Sequence, residues 1–165
     1  LQRKVSKKYQ KNKEGVRYKK TRNIIKSEKQ LLKVSRKLTN IRQNYIHQVT
    51  SEIVNRKPKF IVLEDLNVSG MMKNHHLAKA IQEQNFYEFR RILTYKCEWN
   101  NISLIIADRF FPSSKTCSCC GNINHSLTLK DRTFICPECG LMIDRDLQAA
   151  INLANYGRNQ INNIA

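Results

Sequence analysis

Two cysteine knuckles, Cys117-Ser118-Cys119-Cys120-Gly121 and Cys136-Pro137-Glu138-Cys139-Gly140, constrain the fold of this chain more than any other feature. A Cys-x2-Cys pair lets one tight turn aim two sulfurs at a common point. A glycine just after the second cysteine can take positive φ, so the turn closes with backbone N–H groups facing sulfur. Four thiolates at about 2.3 Å in a tetrahedron satisfy zinc. The 15 residues between Cys120 and Cys136 match zinc-site spacing. They leave room for a β-hairpin with Leu127-Thr128-Leu129 and Thr133-Phe134-Ile135 as strands. Cys119 is also available. Pairing Cys117 with Cys120 gives the x2 spacing and places Gly121 where Gly140 stands in the other knuckle, which leaves Cys119 and Cys97 as bystanders. The sequence shows no signal peptide, so a reducing compartment, the cytoplasm, is expected. That argues against disulfides and for structural Zn2+ on Cys117, Cys120, Cys136 and Cys139.

Charge narrows the partner. The formal net charge is +17 over 165 residues, a field that favours polyanions and makes nucleic acid the leading partner. No apolar run approaches the roughly 20 residues of a membrane helix. Residues 1–22 are dominated by Lys, Arg, Gln, Tyr and Ser, with Gly15 interrupting any helix. This stretch reads as a phosphate-binding arm without a core of its own.

Periodicity sets the rest. From Ser27 to about Asn55, Val34, Leu38, Ile41, Tyr45, Val49 and Ile53 recur at helical steps, one apolar stripe that should pack on something. Lys57-Pro58 stops that helix. Phe60-Ile61-Val62-Leu63 is a short β-rich run with Glu64 and Asp65 at its end, where α/β active sites open. Asn67 to Gly70 reads as a turn, and Met71 to about Asn101 as mostly helical, with Leu77, Ile81, Phe89, Leu93 and Cys97 inward. Ile102 to Ala107 is a second strand. Asp108 at its end is a metal contact or a loop cap. Past the ribbon, Asp144 or Asp146 caps a helix whose apolar face is Leu147, Ala150, Ile151 and Ala154, and Gly157 ends it. Asp146 is favoured over Asp144 as the acid facing the sheet.

Phe60 to Gly70, Arg109 to Cys117, the two knuckles and Asp144-Arg145-Asp146-Leu147-Gln148-Ala149-Ala150-Ile151-Asn152 together resemble the C-terminal part of the TnpB (OrfB) family. That family belongs to insertion-sequence transposons and is related to type V CRISPR effector nucleases. The resemblance runs through nearly the whole chain with its motifs in order. It implies a fold and an activity: α/β, an RNase H-like (RuvC) core here lacking its first strands, with a long basic helix and an inserted four-cysteine zinc ribbon. Family members are RNA-guided DNA endonucleases in which three carboxylates hold two Mg2+ ions. Glu64 matches the second RuvC motif and Asp146 the third, so both are implied catalytic, Mg2+-binding residues. The ribbon matches the family's target-nucleic-acid-binding domain.

The implied layout is basic arm and long helix over 1–58, RuvC core over 59–112, ribbon over 113–141, and third-motif helix with an Asn-rich tail over 142–165. The first catalytic Asp is expected upstream of Leu1, and Gln148 stands where the family more often has Asn. The chain alone is therefore expected to bind DNA with little or no cleavage, with guide RNA as a partner of the full-length protein. The rival reading is a non-catalytic zinc-ribbon nucleic-acid-binding protein, or the remnant of a truncated transposase.

Overall fold

The computed structural model describes residues 1–128 and 130–162. These residues divide into two units, Leu1–Val49 and Thr50–Ala165.

In the first unit, helix α1 (Gln2–Lys11) is followed by a two-residue hairpin, β1 (Lys13–Glu14) and β2 (Arg17–Tyr18), and then by the start of α2 (Arg22–Asn55). Gly15 turns this hairpin at φ +60. The basic arm is thus ordered and not merely solvated. Val5 and Ile24 are buried, and Lys8 Nζ donates to Ser27 Oγ (2.7 Å) and Asn23 O (3.1 Å). Tyr9 bonds Glu28 through its hydroxyl and stacks edge-on to Tyr18 at 5.8 Å. Helix α2 begins five residues before the expected Ser27 because these pairings support its first turns. Its apolar stripe departs from expectation. Leu38 is 50 % exposed, Ile41 55 % and Tyr45 65 %, so the middle of the helix carries the stripe in solvent among its cations.

In the second unit, β3 (Phe60–Glu64) pairs in parallel with β4 (Ser103–Ala107), register Phe60↔Ser103 to Glu64↔Ala107. Alternation of side chains along β3 serves two layers. Ile61 and Leu63 pack toward the cluster of Val54, Leu93, Cys97 and Ile102, joined by Phe89 and Leu104. Phe60 and Val62 face α6 (Arg145–Asn162). Between the strands lie α3 (Val68–Met72), α4 (Ala78–Gln84) and α5 (Phe86–Trp99). The turn expected at Asn67–Gly70 is instead the start of α3, because the Asn67 carboxamide accepts from Gly70 N at 3.0 Å and caps it. Asn85, at φ +53, breaks α4 from α5. Leu77, expected inward, is 52 % exposed, whereas Ile81, Leu93 and Cys97 are buried.

The ribbon differs from its expected hairpin. β5 (Thr133–Ile135) pairs antiparallel with β6 (Met142–Asp144), across the second knuckle. That strand partner is Met142–Asp144 and not the expected Leu127-Thr128. Leu127 and Thr128 form no strand, and Leu129 lies outside the described residues. The second knuckle itself is the tight turn, so pairing across it costs little loop closure. Phe134, Cys117 and Cys136 form the ribbon's core, with Leu127, Leu141 and Ile143 around it.

Helix α6 runs through Gly157 to Asn162, and the tail beyond, 163–165, lies outside the described residues. Gly157 does not end the helix. Its missing side chain admits the sheet, since a Cβ there would stand 2.5 Å from both Phe60 Cε2 and Val62 Cγ2. Gly157→Ala is therefore expected to lower unfolding free energy by about 1–2 kcal/mol in urea titration, the overpacking outweighing the ~1 kcal/mol that alanine contributes to helix propensity. The buried face of α6 is also displaced from the expected one. Leu147 is 53 % exposed and Ala150 is exposed, while Gln148, Asn152 and Gly157 are buried. The buried amides have polar partners, given below, which repays their desolvation.

Candidate metal centre and acidic sheet edge

The two knuckles are built alike. Cys117 N donates to Asn122 O (2.8 Å) and Gly121 N to Cys117 O (2.9 Å). Cys136 N donates to Leu141 O (2.9 Å) and Gly140 N to Cys136 O (3.1 Å). Gly121 and Gly140 take φ +78 and +72. The repeated geometry brings the sulfurs of Cys117, Cys120, Cys136 and Cys139 within 4.8 Å of one another. Cys117 and Cys139 are 3.6 Å apart and Cys120 and Cys136 3.5 Å. Those separations are far too long for disulfides, whose S–S bond is about 2.05 Å. They approach the edge of about 3.8 Å of a tetrahedron with 2.3 Å metal–sulfur bonds. The donor set and spacing fit a Zn2+ ion.

Burial pushes the Cys117 thiol up, but backbone N–H groups of Cys120 and Cys119 and the adjacent thiols outweigh it and draw it down to about 6. The Leu141 amide pulls Cys139 down, yet the Cys136 thiol and burial carry it up to about 12. One thiolate makes the next costly in so small a volume, and a divalent cation removes that cost. Cys119 is exposed, Cys97 is buried in the strand-and-helix core, and neither joins the cluster.

The second constellation lies at the carboxyl edge of the β3–β4 pair. Parallel strands in this register release their following loops side by side, so Glu64 and Asp65 emerge next to Asp108 and Arg109. Ser113 Oγ donates to Glu64 Oε1 at 2.6 Å. The carbonyl of the same serine accepts from Asn152 Nδ2 at 2.7 Å, and Asn152 also donates to Thr116 O at 2.6 Å. Gln148 Nε2 donates to Thr116 O (2.5 Å), and Ser118 Oγ donates to Gln148 Oε1 (3.0 Å). One residue, Ser113, thus connects Glu64 to α6.

Asp65 takes Arg109 Nη2 at 2.5 Å and Arg90 Nη1 at 3.1 Å. The Arg109 guanidinium, with Arg90 behind it, holds the Asp65 carboxyl below its ordinary 3.8. Asp108 accepts from Phe110 N at 2.8 Å, a loop cap.

Asp144 is the cap of α6, accepting from Asp146 N (2.9 Å) and Leu147 N (3.0 Å). The helix begins at Arg145, not Leu147, so Asp146 sits in its first turn with its side chain 76 % exposed and 3.7 Å from Arg145. Gly157 lies over Phe60 and Val62, whereas Leu153 borders the cleft beside Leu63 and Glu64. The helix therefore runs opposite to β3. Asp146 occupies the same helical stripe as Leu153, seven residues or about 10 Å nearer the N-terminus, beyond the strand ends.

With this geometry established, known proteins can be set beside it. The model of the Cas12f1-like TNB domain family matches residues 86–153. A Streptomyces pristinaespiralis protein named as a candidate RNA-guided DNA endonuclease is 37% identical over 135 residues, covering 82% of this chain and 33% of that protein. Escherichia coli InsQ, named likewise, is 28% identical over 150 residues, covering 82% of this chain and 37% of its own length. A TnpB-like mimivirus protein, L79, is 30% identical over 133 residues, covering 77% of this chain and 25% of its own. This chain is related to the TnpB family. It spans about a third of the length of the first two of those relatives. A Cas12f1 chain from a complex with sgRNA and target DNA superposes with a TM-score of 0.63 at 21% identity, over 81% of this chain and 39% of that one. The α/β fold of the TnpB relative is thus shared with Cas12f. No described helix is long and apolar enough to cross a membrane.

Sequence reasoning missed Ser113, the Asn152 amide and the Asp65–Arg90–Arg109 cluster, and marked Gln148 only as standing where the family more often has Asn. Two amides spaced i, i+4 within the apolar first half of the helix were the available signal for the first group. The strand ends Glu64-Asp65 and Asp108-Arg109 were the signal for the second.

Proposed function

We propose that this chain is the sheet-edge and ribbon portion of a TnpB-like, RNA-guided DNA endonuclease with an RNase H-like (RuvC) core. In this reading Glu64 and Asp146 are two of its catalytic carboxylates. They hold Mg2+ together with an Asp from a strand of the same core that precedes Leu1. When bound, Mg2+ activates water and stabilises the leaving oxygen of the cleaved phosphodiester. The protein's own part is to fix the acids. Glu64 leaves the end of β3 and is oriented by Ser113, and α6 is tied to the same serine through Asn152. The bridge Glu64–Ser113–Asn152 supports the proposal most directly, because it ties the strand end that carries Glu64 to the helix whose first turn carries Asp146.

The Zn2+ on Cys117, Cys120, Cys136 and Cys139 is structural, since four thiolates leave no position open for substrate. The lysines and arginines of the first unit supply phosphate contacts without sequence choice. DNA is the substrate, and guide RNA is a partner of the longer polypeptide.

A pure nucleic-acid-binding module is favoured by one observation, the exposure of Asp146 beside Arg145. The two readings separate experimentally. In a polypeptide of the relatives' length, supplied with guide RNA, Glu64→Gln and Asp146→Asn are each expected to reduce DNA cleavage by at least about a thousandfold, as loss of a metal ligand should. DNA affinity should hold. Mn2+ paramagnetic relaxation on the chain itself should broaden amides around both acids. Undiminished cleavage by either variant overturns the nuclease reading and leaves the binding module.

A further inference from the structure

Beside Glu64 lies a cleft of about 520 Å3, within the roughly 300–1,000 Å3 of clefts that hold small ligands. Its lining includes the apolar side chains of Leu63, Leu66 and Leu153. Phe86 and Tyr87, from the first turn of α5, line one side. Tyr87 is 69 % exposed and meets no other ring among the described residues. Arg90 and Arg109 stand at the rim, each spending one nitrogen on Asp65. A guanidinium has five N–H donors, so most of each fork remains available. Asp65 thereby serves as a positioning residue, holding two arginines from different elements at one lip.

An uncommitted aromatic face, an apolar lining, two guanidinium groups and an adjacent acid edge, in a chain of net charge +17, form a composite receptor. We infer that this cleft takes one unpaired nucleobase of single-stranded DNA, stacked on Tyr87, with the flanking phosphate on Arg90 and Arg109. A paired base is stacked on both faces and cannot enter a cleft beside a helix in this way. The inference rests on the nuclease reading for its purpose, which is to hold the strand on its approach to Glu64, but its test does not depend on cleavage.

The test is binding of the zinc-loaded chain to a fluorescein-labelled oligothymidine and to an abasic oligonucleotide of equal length, read by anisotropy. Stacking on an aromatic ring predicts that the base-bearing strand binds about tenfold more tightly. Tyr87→Ala should erase that preference and leave abasic affinity unchanged, and Tyr87→Phe should keep it. Because Tyr87 is exposed, the variants are expected to fold, which circular dichroism checks. Equal wild-type affinity for the two strands, an unaltered preference in Tyr87→Ala, or no binding of either strand overturns the inference. A wild-type chain that shows no base preference while Glu64-dependent cleavage persists refutes the cleft and spares the nuclease. A base preference without Glu64-dependent cleavage does the reverse.

Discussion

Replacing Cys136 with serine is expected to abolish stoichiometric zinc binding and to unfold the ribbon. The wild-type chain should carry one zinc by atomic absorption, and cobalt exchanged into the site should show intense thiolate charge-transfer bands. Cys136→Ser should show neither. The magnitude follows from the size of the core. Phe134, Cys117 and Cys136 are the buried members, and two of these three are candidate ligands. A core this small cannot offset the chain entropy of the ribbon. Binding of zinc to four-ligand peptides is worth about 10–16 kcal/mol at neutral pH, so the metal accounts for the fold. Amide exchange at Phe134 should accelerate to the rate of an unstructured peptide, while Leu93, in the separate cluster of Val54, Cys97 and Ile102, stays protected. Cys119→Ser, outside the cluster, should bind zinc normally. Full zinc occupancy in Cys136→Ser would overturn the four-thiolate assignment.

The second large effect is expected at Asn152. Its amide is buried and donates to two carbonyls, Ser113 O and Thr116 O. Asn152→Leu keeps the branched shape, at a larger volume, but removes both donors. Thr116 O retains Gln148, whereas Ser113 O has no other donor among the described residues. A buried acceptor without a partner costs about 1–3 kcal/mol, and the lost bond to Thr116 adds about 1 kcal/mol. Unfolding free energy should fall by about 2–4 kcal/mol in urea titration. Because Ser113 also donates to Glu64, the variant should lose cleavage in the full-length protein even below its melting temperature. Asn152→Ala bearing the same deficit would separate the amide's role from leucine's fit. A variant as stable as wild type would mean that Ser113 and Thr116 find other donors.

Much of this architecture was legible in the sequence where the signal was local. Knuckle spacing and the trailing glycines picked out the four cysteines that the fold brings together and left Cys119 out, because turn geometry acts over four residues. The runs Phe60–Leu63 and Ile102–Ala107 gave both strands, since β-branched residues in short apolar runs have few alternatives. The errors came where a partner distant in sequence decides the outcome. The pairing of β5 with β6 is set by how the knuckles fold on their metal-sized centre, which no propensity records. Gly157 reads locally as a helix stop, yet the approach of Phe60 and Val62, nearly a hundred residues away, makes it a contact point. The apolar stripe of α2 follows a faultless helical period, and periodicity reports a helix without reporting what covers it. At the candidate site, the acids at the strand end and helix start were visible as charges in telling places. The serine and asparagine that join Glu64 to α6 were invisible because each acts through a backbone carbonyl or a single hydroxyl.

Asp144 is at once the final residue of β6 and the cap on α6, and this double duty has a mechanical consequence. With no linker between ribbon and helix, torque applied to the ribbon reaches Asp146 undamped, two residues on. The ribbon is thereby a tiller for that carboxylate. Under the proposed function, a strand of DNA that swings the cysteine ribbon also steers the acid.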